Sequence, residues 1–112
     1  MTKLLQARWL AEIAKMRNTF PEFEPFVRDG FFGDVIGFTG QLQARSGKLY
    51  EVNITAKISQ YPVAAPSIVI RPRVGPNWYL NGTLFVQRPW RPNQDTFAQQ
   101  VLYAADYLRL HG

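Results

Sequence analysis

Between Asp34 and Ile58 the apolar side chains recur with a period of two, and this alternation most limits what the chain can fold into. Ile36, Phe38, Gly40, Leu42 and Ala44 point one way, while Val35, Gly37, Thr39, Gln41 and Gln43 point the other. Ser46-Gly47 then reads as a hairpin turn. Beyond it Tyr50, Val52, Ile54, Ala56 and Ile58 line one face, with Glu51, Asn53, Thr55 and Lys57 opposite. After a proline corner from Tyr61 to Pro66, Ile68 and Ile70 alternate with Val69 and Arg71 in a last strand. The alternation is imperfect between Phe23 and Phe32, where a short edge strand is expected near Pro25 to Arg28. Together these predict an antiparallel four-strand meander with one buried face.

A helix is expected on each side of the meander. Thr2 can cap the first, over about Lys3 to Arg17, with Leu5, Trp9, Ile13 and Met16 on one stripe. Lys15 and Arg17 suit its C-terminal dipole, and Phe20-Pro21 ends it. Asn93, Asp95 and Thr96 all offer caps for the second, over about Phe97 to Leu110. Its stripe is Phe97, Val101, Ala104, Ala105 and Leu108. The fold class is therefore α+β: N-terminal helix, meander, long loop, C-terminal helix, with the helices covering one sheet face.

At 112 residues the chain is expected to be one domain over 1–112. It contains no cysteine, so it has no disulfide, no thiolate metal site and no thiol nucleophile. His111 is the single histidine, next to the last residue, which leaves Ser–His–Asp chemistry and histidine metal clusters without material. No cofactor is expected. The apolar runs are far below membrane-spanning length and no signal-peptide pattern opens the chain, so a cytoplasmic protein with no membrane partner is the default. The net charge of +5 favours acidic partners, but the basic residues are scattered, and nucleic acid is not the expected partner.

The stretch from Tyr61 to Thr96 concentrates the rigid corners: Tyr61-Pro62 with Pro66, Gly75-Pro76-Asn77, and Trp90-Arg91-Pro92. With the helix and meander before them, these corners resemble the ubiquitin-conjugating enzyme family over about residues 36–110. Members share a Tyr-Pro…Pro corner, a His-Pro-Asn motif, a Gly-x-x-Cys active site and a Trp-x-Pro turn before the next helix. Here Gly75-Pro76-Asn77 stands at the His-Pro-Asn position, and Asn81-Gly82-Thr83-Leu84-Phe85-Val86 stands at the active-site segment. Phe85, eight residues after Asn77, occupies the place of the cysteine.

The resemblance thus implies a UBC-like fold without chemistry. Phenylalanine has no nucleophilic atom, so a thioester with a ubiquitin-like protein is not expected. The positions Phe85, Asn77 and Gly75 are vestigial on this reading, and Asn77 is expected to brace its loop. The family's last two helices are not expected in these residues, as in short members of bacterial ubiquitin-like operons. The implied function is that of a pseudoenzyme: a non-covalent binding or scaffold component of a ubiquitin-like conjugation system. Its expected partners are a ubiquitin-like protein or an active conjugating or activating enzyme. Candidate contact residues are Trp78, Tyr79, Arg88 and Trp90, where loop aromatics and arginine collect. Val63, Pro92 and Asn93 match the two loops with which members meet their ligases. Arg71, Arg73, Arg88 and Arg91 flank the vestigial site. Two other readings stand beside this one: a basic module for nucleic acid or another acidic partner, and a conjugating enzyme with an unusual nucleophile such as Thr83 or Tyr79.

Overall fold

A computed structural model describes residues 2–29, 33–75, 83–84 and 89–112. Helix α1 spans Lys3–Thr19, and Thr2 caps it by accepting a hydrogen bond from the Leu5 amide. The helix runs two residues past the expected Arg17, so Arg17 lies in its last turn and Lys15 just before it. Phe20, ahead of Pro21, closes it by donating its amide to the Met16 carbonyl.

Among the described residues five strands follow: β1 (Glu24–Arg28), β2 (Val35–Gln43), β3 (Leu49–Lys57), β4 (Ser67–Arg71) and β5 (Thr83–Leu84). They form one antiparallel sheet in sequence order, β1-β2-β3-β4-β5. The expected count of four is corrected to five. Thr83 pairs with Val69 and Leu84 with Ile68, so β4 is not the last strand. Two residues are too few to display a period, and only the partner strand identifies them as a strand. Helix α2, Phe97–His111, completes the chain. Of the three capping candidates Thr96 serves, in a capping box with Gln99.

The register explains the alternation. Phe38, Ile54, Ile68 and Leu84 lie in one row across four strands, with Val52 and Ile70 in the next, and all are buried. Both helices cover this face. The rings of Trp9 and Phe38 lie 5.0 Å apart, and each is 5.5 Å from Phe97. One aromatic cluster therefore joins α1, β2 and α2. Phe23 fits over β2 because position 40 is glycine: a Cβ there would stand 2.7 Å from the Phe23 ring.

Among the described residues the opposite sheet face has no helix against it. Glu51, Asn53, Val69 and Arg71 border a shallow groove of about 480 Å3 there, with Phe26 and Arg28 at one end.

Candidate functional site

Two of the proline corners, Tyr61-Pro62 and Trp90-Arg91-Pro92, are joined by a bond between residues distant in sequence. Trp90 is half-buried, and its indole Nε1 donates to the Pro62 carbonyl at 2.6 Å. This bond joins the Trp-x-Pro turn to the Tyr-Pro corner, and with them the loops that carry Val63 on one side and Pro92 and Asn93 on the other. Val63 is 78% exposed and Asn93 is exposed, while Pro92 is half-buried.

The turn itself is closed internally. The Arg91 amide donates to Asp95 Oδ2 at 2.6 Å, and the Arg91 guanidinium meets Asp95 Oδ1 at 3.1 Å. The hydrogen bond and charge of Asp95 hold the Arg91 guanidinium above its ordinary pKa. Asp95, one of the expected helix caps, instead braces this turn from a buried position. Arg91 is thereby engaged, whereas Arg71 lies on the open sheet face in register with Glu51. These two of the four flanking arginines serve different surfaces. Arg73 is exposed beyond β4. Arg88 lies outside the described residues, as do Asn77, Trp78, Tyr79 and Phe85.

Gly75 has a local reason to be glycine. Its φ is +73°, and a Cβ there would collide with the Tyr107 hydroxyl. That hydroxyl donates to the Val74 carbonyl at 3.0 Å, and the Tyr107 ring lies 4.6 Å from that of His111. The end of α2 thus occupies the space that any side chain at position 75 would need.

A second polar centre lies beneath the Tyr61 corner, and it escaped the sequence reading. Tyr61 is buried; its hydroxyl donates to Glu12 Oε2 at 2.9 Å and accepts from Arg8 Nε at 3.0 Å. The Glu12 carboxylate also accepts from the Phe97 amide, at 3.3 and 3.4 Å to its two oxygens. An acid from α1 thus serves an open donor at the start of α2. Burial pushes the Glu12 carboxyl above its ordinary value, against the lowering effect of Tyr61, Phe97 and Arg8. Burial, then the Glu12 charge, raises the Tyr61 phenol strongly. The sequence did carry a signal: Glu12 is the only acid in α1 and falls between Trp9 and Met16 on the buried side.

Between β5, Trp90 and α2 opens a cavity of about 180 Å3. Pro66, Leu84 and Trp90 supply apolar walls, and Thr83, Gln100 and Tyr103 supply polar groups. Polar and apolar residues line it in equal number, with Asp95 and Ser67 among the polar ones. Thr83, considered above as an unusual nucleophile, is a β5 residue lining this cavity. Among the described residues no three His, Asp or Glu side chains gather as metal ligands.

Family models, curated proteins and solved structures were compared with the chain, and none matches.

Proposed function

We infer that this chain is a UBC-like domain that works by binding, as a pseudoenzyme in a ubiquitin-like conjugation system. The observation that carries the reading is the Trp90–Pro62 hydrogen bond, which unites the two motif corners at one surface. The helix–meander–helix order and the close approach of Tyr107 to Gly75 are in keeping with it. Thioester chemistry needs a thiolate, and these residues contain none. The proposed partners are a ubiquitin-like protein and an active conjugating or activating enzyme, met on the tied loops around Val63, Trp90, Pro92 and Asn93. Among the described residues no helix is long and apolar enough to cross a membrane, and a cytoplasmic setting is proposed with the rest of the reading.

The test has two arms. Incubation with an activating enzyme, a ubiquitin-like protein and ATP is expected to leave no thiol-sensitive adduct on a gel. An NMR titration with the ubiquitin-like protein, and separately with an active conjugating enzyme, is expected to shift the Val63 and Asn93 amides and the Trp90 indole. A covalent adduct overturns the pseudoenzyme reading, and silence in both titrations overturns the binding role.

A further inference from the structure

One buried residue of helix α2 is out of keeping with its neighbours. Phe97, Val101, Ala104 and Leu108 form the buried stripe of the helix, and Gln100 lies within it, between Phe97 and Ala104. An apolar residue would continue the stripe, yet glutamine stands there and is only 5% exposed. Among the described residues no hydrogen bond engages its side chain. Nor, among them, does any side-chain nitrogen or oxygen sealed from solvent lack a partner. The Gln100 amide is therefore not sealed. It keeps open space beside it, and that space is the cavity of about 180 Å3 between β5, Trp90 and α2, which Gln100 lines.

A buried amide without partners is costly, and each one kept in a native fold calls for an explanation. Water is the simplest filling. A single water needs about 10–15 Å3 of such space, and the cavity of about 180 Å3 offers over ten times that. An apolar cavity of about 150 Å3 takes up benzene, so the room here suits a small organic molecule.

The lining sets the chemistry. Gln100 offers an amide oxygen that accepts and an amide nitrogen that donates. A carboxamide presents the same pair and, turned about, meets it with two hydrogen bonds side by side. Asp95 is the one carboxylate in the lining, and the Arg91 amide and guanidinium already hold it. No Lys, Arg or His lines the cavity, so an anion finds no counter-charge there and meets Asp95 instead. A cation finds the Asp95 charge already matched by Arg91. Both considerations select an uncharged ligand. Pro66, Leu84, Pro89 and Trp90 supply rigid apolar wall, which suits a ring.

We propose that this cavity is a binding site for a small uncharged carboxamide carried on an apolar ring, and that Gln100 recognises the amide. The proposal goes beyond the conjugation reading and does not rest on it, because that reading uses exposed loops and macromolecular partners.

Benzamide is the probe. Its controls are benzoate, which replaces the amide with an anion, and toluene, which keeps the ring alone. In an NMR titration of the full chain, benzamide is expected to shift the Gln100 side-chain NH2 and the Trp90 indole saturably, with a Kd of about 1 mM or below. Benzoate and toluene should bind at least about tenfold more weakly. Gln100→Met keeps the length of the side chain and removes its amide. It should weaken benzamide at least about tenfold, while the melting temperature holds or rises because an unpartnered buried amide has gone. Absence of any saturable shift would mean that the cavity holds water only, and overturns the proposal. So does toluene binding as tightly as benzamide, or undiminished binding to Gln100→Met. A marked fall in the melting temperature of Gln100→Met would show the amide already bonded within the fold, and overturns it as well.

Discussion

Glu12 ties α1 both to the Tyr61 corner and to the start of α2. Its carboxylate accepts from Tyr61 and from the Phe97 amide, so Glu12→Ala leaves two donors with no acceptor. The expected loss is about 1–3 kcal/mol per stranded group, read from urea denaturation. Glu12→Gln keeps the shape and separates charge from bonding. Because burial raises the folded-state pKa above the ordinary 4.5, the folded chain binds the proton more tightly than the unfolded one. Stability from this group is full below pH 4.5 and falls as pH rises through the raised value. The stability of Glu12→Gln relative to wild type is therefore expected to improve from pH 4.5 towards neutrality. A flat or opposite trend in denaturation midpoints would remove burial as the dominant cause. Gly75→Ala is the steric counterpart: a Cβ meets Tyr107 and the φ is positive, so the loss should exceed about 1 kcal/mol.

At the scale of elements, the corners act as bolts between secondary structures. Trp90→Phe retains most of the ring and deletes the donor to Pro62. It should cost about 1 kcal/mol and speed amide exchange at Ala64, whose N–H bonds Gln60 within the corner. Unchanged exchange there would mean that the corner stands without the turn. The caps have a simpler logic. Thr2 and Thr96 each precede a run of helix-compatible residues and bond an amide three residues on. Strand β5 has no such local support. Its two residues are held by Val69 and Ile68 of β4, which explains why the count rises from four strands to five.

For the whole molecule, the aromatic cluster is the joint between layers. Phe38 is fully buried and touches rings from both helices. Phe38→Ala should cost about 3–5 kcal/mol, a large share of the 5–15 kcal/mol typical of a small domain. The test is a fall in urea midpoint seen equally by far-UV dichroism and tryptophan fluorescence. Separate transitions would show that packing around the three tryptophans is lost apart from the secondary structure. Among the described residues the same layering leaves one sheet face without a helix against it.

Much of this architecture was legible because its causes are short-ranged. The alternation through β2 and β3, the Ser46-Gly47 turn, the Thr2 cap and the Phe20-Pro21 stop each depend on residues within a few positions of one another, whereas the second cap was narrowed only to Asn93, Asp95 or Thr96. Sequence alone also disposed of thiol chemistry, since that depends on composition. The α+β order followed from these local signals. The remaining decisions belong to the packed molecule, because they join residues with no common periodicity. Glu12 reaches Phe97 across 85 positions, Tyr61 reaches Glu12 across 49, and Trp90 reaches Pro62 across 28. Tyr107 closes on Gly75, and β5 finds β4, only once α2 and the sheet lie together. Burial then shifts the Glu12 carboxyl. Periods and caps are read within one element, whereas these contacts exist only between elements, and packing decides which elements meet.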